Sequence, residues 1–125
     1  MSKILLVGIG GFLGAVFRFG ISTGIRSYFM HPFPLATLFV NFLGCLGIGL
    51  LFELFRNHSL LPTLSLLVAV GFLGSFTTFS AFSFETMDLV KRGNHQLASL
   101  YVLASLLFCF VGVVGGELLG KELRQ

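Results

Sequence analysis

Four long apolar runs separated by short polar breaks organise this chain. A membrane-spanning helix needs about 20 mostly apolar residues, and runs of that length lie at about residues 4–28, 35–55, 61–89 and 97–119. The second opens after His31-Pro32-Phe33-Pro34, where each proline disfavours helix in the residue before it. The third begins at Pro62, a favourable first-turn position, and the fourth follows the polar turn Lys91-Arg92-Gly93-Asn94. Connections this short make sequential helices antiparallel neighbours. The pattern predicts an all-α membrane protein, a single four-helix domain over residues 1–125 with both termini on one side. Arg18 interrupts the first run and no small-residue cleavage site ends it, so it reads as a retained helix rather than a signal peptide.

Composition sharpens this picture. Of the 125 residues, 55% are hydrophobic and 10% charged, against roughly 25% charged in soluble domains. The charges fall almost entirely between the runs, so the lipid bilayer is the solvent of the helices. The net charge of +3 is spread among loops, which leaves no basic stripe for nucleic acid. Cys45 and Cys109 sit in the middle of apolar runs without CxxC spacing and read as small apolar filler, not as a disulfide or zinc site. His31, His58 and His95 fall in loops, each apart from any candidate nucleophile, which gives no support to an intramembrane enzyme.

Glycines punctuate every span, and Gly10/Gly14, Gly20/Gly24 and Gly112/Gly116/Gly120 have the GxxxG spacing that lets helix backbones approach in lipid. The glycines of 8–14 are misplaced for a dinucleotide fingerprint, and no βαβ pattern surrounds them. Lys3, Arg56, Lys121 and Arg124 fall on one side of the predicted topology and Arg26, Lys91 and Arg92 on the other. Orientation follows the Lys/Arg bias. A near balance allows insertion both ways, and oppositely inserted copies could pair as an antiparallel, dual-topology homodimer, the two-chain counterpart of an inverted repeat.

Polar groups within the spans are the functional candidates. From Gly71 to Glu85 the third span carries Gly74, Ser75, Thr77, Thr78, Ser80 and Ser83, residues that compete with helical hydrogen bonds. A helix broken near its centre is expected, with freed carbonyls able to hold a cation; the alternative is an unbroken helix whose hydroxyls bond their own turn. Phe79 and Phe82 are either packing residues or rings whose positive edges attract an anion. Thr78, Ser80 and Ser83 add donors. In the second span Thr37 and Asn41 share a face, and in the fourth Tyr101, Ser105 and Cys109 form a polar line at i, i+4 and i+8. A chain of weak neutral donors suits a small anion that must both enter and leave. Arg18 and Glu85 are charged candidates, Arg18 to draw anions and Glu85 to cap a polar path or pair with a base; snorkelling structural charges are the alternative for both.

Three motifs, Gly10-Gly-Phe-Leu-Gly-Ala-Val-Phe-Arg18, Thr37-Leu-Phe-Val-Asn-Phe-Leu-Gly-Cys45 and Gly71-Phe-Leu-Gly-Ser-Phe-Thr-Thr-Phe-Ser-Ala-Phe-Ser83, resemble the Fluc, or CrcB, fluoride channels, and the likeness extends over all four spans. The resemblance implies an antiparallel homodimer in the plasma (inner) membrane of a prokaryote, with two fluoride pathways and a structural sodium ion that is not transported. It implies that Phe79 and Phe82 contact fluoride and that Asn41 lines the pore. Carbonyls of Gly74 and Thr77 would hold the sodium, and Tyr101, Ser105 and Cys109 would form a polar track. Cys109 stands where a hydroxyl residue is usual, and Ala81 where a threonine is often seen. Passive exit of fluoride relieves the trapping that follows when neutral HF crosses a membrane and dissociates in the cytosol. A small multidrug-resistance antiporter is the alternative, but its mechanism needs a carboxylate deep in the first span, where this chain has only Arg18.

Overall fold

The computed structural model describes residues 2–29, 31–56 and 61–124. They form α1 (Lys3–Tyr28) and α2 (Leu35–Leu54). A continuous helical stretch follows, made of Leu61–Leu64, the π-helical Ser65–Leu73 and Gly74–Phe76, here called α3. The chain ends with α4 (Phe79–Lys91) and α5 (His95–Arg124). By length and apolar composition there are four candidate membrane spans, with Ser65–Lys91 as the third. The chain is a multi-pass membrane protein.

Backbone approach at glycine sets the packing. A Cβ on Gly10 would lie 2.0 Å from the Leu67 carbonyl oxygen, and one on Gly14 2.1 Å from that of Phe72, so α1 and α3 touch main chain to main chain. The pairing of α2 with α5 is built alike: a Cβ on Gly49 would meet the Val113 carbonyl oxygen at 2.1 Å, and one on Gly116 that of Leu46 at 2.1 Å. Van der Waals contact over such seams supplies what lipid, as apolar as the side chains, does not.

The fourth span, α5, begins earlier than its apolar run. His95 therefore belongs to α5 and not to the expected loop, while His58 lies outside the described residues. Gly93, at φ +77°, allows α4 to end in a Schellman turn: Gly93 N–H donates to the Val90 carbonyl (3.0 Å) and Asn94 N–H to that of Leu89 (2.9 Å). Asn94 immediately starts α5, its carbonyl accepting from Ala98 N–H at 3.0 Å. Tyr101 is fully buried near this turn, with Leu89 and Ala98 beside it and Phe33 and Phe82 packed on its ring at 5.5 and 5.3 Å.

Candidate functional site

Between α3 and α4 the backbone leaves the helical region for two residues, Thr77 (φ −81°, ψ 157°) and Thr78 (φ −149°, ψ 113°). Side chains from three directions hold this step. Arg18 Nε donates to the Ser75 carbonyl (3.1 Å), setting a cation on the C-terminal turn of α3, where the helix dipole favours it. Thr78 is the N-cap of α4, its Oγ1 accepting from Ala81 N–H at 3.1 Å. Asn41 reaches across from α2 and clasps the Thr78 peptide twice, Nδ2 donating to its carbonyl (3.1 Å) and Oδ1 accepting from its N–H (2.7 Å).

These bonds redirect two amides. An unbroken α-helix would have Thr78 N–H donate to Gly74 and Ala81 N–H to Thr77. Here Thr78 N–H goes to Asn41 and Ala81 N–H to Thr78 Oγ1. The carbonyls of Gly74 and Thr77 thus lose their helical partners, and Gly74 is exposed. A hard alkali cation is suited by oxygen donors of this kind, so the donor chemistry fits sodium. One chain offers two such oxygens.

Beside the step, Asn41, Cys45, Phe79, Phe82, Ser105 and Cys109 line an open groove of about 290 Å³. Phe79 is 78% exposed and Phe82 half-buried, their ring centroids 5.4 Å apart. Ser105 is buried, and its Oγ meets no hydrogen-bond partner among the described residues. The groove therefore combines ring systems, neutral polar side chains and the N-terminal turn of α4, and among the residues that line it none carries a full charge. Other expected donors are committed locally: Thr78 Oγ1 and Ser80 Oγ lie 3.1 Å apart, and Ser83 Oγ donates to the Phe79 carbonyl at 2.9 Å.

Thr37 and Tyr101 converge with Glu85 on a different centre. Glu85 Oε1 accepts from Thr37 Oγ1 (2.8 Å) and Arg26 Nη2 (2.9 Å), and Oε2 accepts from Tyr101 OH (2.8 Å). One carboxylate on α4 thereby ties α1, α2 and α5. Sequence reasoning overlooked a second carboxylate, Glu53, buried at the C-terminal end of α2, where the helix dipole disfavours it. Arg124 at 2.8 Å and Arg56 at 3.6 Å offset that cost. Its signal was an acidic residue ending an apolar run with an arginine three positions on.

The family model for CrcB-like protein, Camphor Resistance (CrcB), matches residues 5–117. A protein of Prosthecochloris aestuarii named "Fluoride-specific ion channel FluC" is 47% identical over 117 residues, covering 90% of this chain and 91% of that protein. Proteins of the same name from Ruminiclostridium cellulolyticum and Magnetococcus marinus are 42% and 43% identical, covering 100% and 95% of this chain and 97% and 98% of their own lengths. With its four candidate spans and a match running through all of them, the chain belongs to the CrcB family.

Proposed function

We propose that this protein is a fluoride-selective channel of the plasma (inner) membrane of a prokaryote, through which cytoplasmic fluoride leaves passively. The observation that carries the reading is the groove in which Asn41, Phe79, Phe82, Ser105 and Cys109 come together, in a chain whose relatives are named fluoride-specific ion channels. Fluoride sheds water along ring edges of Phe79 and Phe82 and neutral donors, which are strong enough to admit it and too weak to retain it. Thr37, Tyr101 and Glu85 form a largely buried polar cluster that extends the line of polar groups beyond the groove, Ser80 and Ser83 add hydroxyls on α4, and Arg18 positions the helix step.

The working unit is an antiparallel homodimer. Two orientations follow from the nearly balanced Lys and Arg of the loops, and the exposed Gly74, whose carbonyl and that of Thr77 have lost their helical partners among the described residues, supports coverage by a second copy, since lipid cannot serve backbone polar groups. Four carbonyls, from Gly74 and Thr77 of each copy, hold a structural sodium ion that is not transported. Efflux from liposomes containing purified protein tests the function: fluoride should leave much faster than chloride from the same vesicles. Equal rates, or no fluoride efflux, would refute it.

A further inference from the structure

The groove holds two thiols from different helices. Cys45 on α2 and Cys109 on α5 both line it, both are half-buried and both are free. Their helices meet closely at this level: Cys109 lies one turn before Gly112, and a Cβ on Gly112 would sit 3.3 Å from Cys45 Cβ and 3.0 Å from the Phe42 carbonyl oxygen. Both thiols thus belong to one short stretch of the α2–α5 contact and share one groove wall.

We propose that Cys45 and Cys109 form a two-coordinate site for a soft divalent ion that prefers linear thiolate ligation, the mercuric ion being the type case, and that binding there closes the groove. The bridging requirement is modest. A linear S–metal–S unit spans about 4.6 Å, twice a metal–sulfur bond of about 2.3 Å, a separation suited to neighbouring side chains on packed helices. Binding replaces two S–H bonds by two metal–sulfur bonds and releases two protons to solvent, so a divalent ion leaves a neutral bis-thiolate. A monovalent ion such as silver would leave a net negative charge, which a membrane-embedded groove disfavours. Zinc needs four ligands, and no group of three or more His, Cys, Asp or Glu side chains is found among the described residues. Soft-ligand preference and coordination number therefore select the same class of ion. The bound metal would stand beside Asn41, Phe79, Phe82 and Ser105, in the space through which an anion would have to pass.

Mercuric chloride titrated into the purified, reduced full-length protein tests this, with bound mercury counted per chain and residual thiols counted after denaturation. One ion per chain and no residual thiol are expected. Cys45→Ala and Cys109→Ser, each folded as judged by gel filtration, should release mercury at glutathione concentrations at least 100-fold below those needed for the parent. Two ions per chain, or release from the single-cysteine variants at the parent's glutathione concentration, would overturn the bridged site. Closure rests on the channel reading and is measured separately: one equivalent of mercury should cut fluoride efflux at least tenfold in the parent. Undiminished efflux with one ion bound would overturn closure while leaving the channel reading intact. If metal-free protein carried no fluoride, the channel reading would fail and closure with it, while the thiol site would still be decided by the counts.

Discussion

Asn41 clasps the peptide of Thr78 through both ends of its side-chain amide, accepting at 2.7 Å and donating at 3.1 Å. An amide can do both at once; a carboxylate only accepts. Asn41→Asp should therefore keep the bond from Thr78 N–H but set its other oxygen against the Thr78 carbonyl. A loss of about 1–3 kcal/mol is expected from the broken, partly buried pairing. Unfolding in detergent checks the stability change, and liposome efflux should show reduced fluoride flux in the folded fraction.

At the α4–α5 end, Glu85 distinguishes an exposed partner from a buried one. The Arg26 side chain is 64% exposed, and ion pairs of that kind contribute about 0–1 kcal/mol. Tyr101 is buried and bonds the same carboxylate. Tyr101→Phe should thus destabilise by about 1–3 kcal/mol, more than Arg26→Ala. Denaturant titration of both variants provides the comparison, and equal losses would show that Glu85 does not depend on its buried donor.

The glycine seams predict a graded mutational map. Gly10→Ala and Gly116→Ala place a methyl within 2.1 Å of a facing carbonyl oxygen and must separate two helices, at a cost of about 1–3 kcal/mol. Gly20→Ala meets nothing within 4 Å and should be neutral or slightly favourable, because alanine is the better helix former. Thermal unfolding of the three variants checks the ranking.

Phe79 and Phe82 separate chemistry from packing. Isoleucine keeps apolar bulk but lacks the ring quadrupole, so Phe79→Ile and Phe82→Ile should each lower fluoride flux. Phe79, being mostly exposed, should unfold like the parent, whereas Phe82 also packs on Tyr101 and should lose stability. Phe72→Ile is the packing control, since that ring stacks on Phe76 and meets Phe17 edge-on. Efflux from folded Phe79 and Phe82 variants equal to the Phe72 control would rule out a role for the rings in conduction.

What was legible in the sequence follows from periodic, one-dimensional signals. Span lengths gave the helices within a few residues, because hydropathy is summed locally and the prolines and Gly93 punctuate it. The grouping of Asn41 with Phe79, Phe82, Ser105 and Cys109 was suggested by helix faces and family likeness, and the groove brings them together. Long-range pairings were not legible. Arg18 to Ser75 and Arg26 to Glu85 join residues 57 and 59 positions apart, and their partners depend on helix rotation. Glu53 is illegible for the same reason, because its ion pair with Arg124 and its packing against Gly120 both come from α5, far along the chain.

The π-helical stretch of α3 gives the third span a slack residue. Its hydrogen bonds reach one residue farther than those of an α-helix, so each turn absorbs extra chain. Deleting one residue between Ser65 and Ala69 should let the bonds shorten to the ordinary reach while Gly71 and Phe72 keep their phase against Gly10 and Gly14. The same deletion between Thr37 and Asn41 in α2 has nothing to absorb it. It would turn one flank of that helix by about 100° relative to the other and swing either Thr37 away from Glu85 or Asn41 away from Thr78. Natural length variation in this architecture should accordingly be tolerated along α3 before Gly71 and resisted along α2.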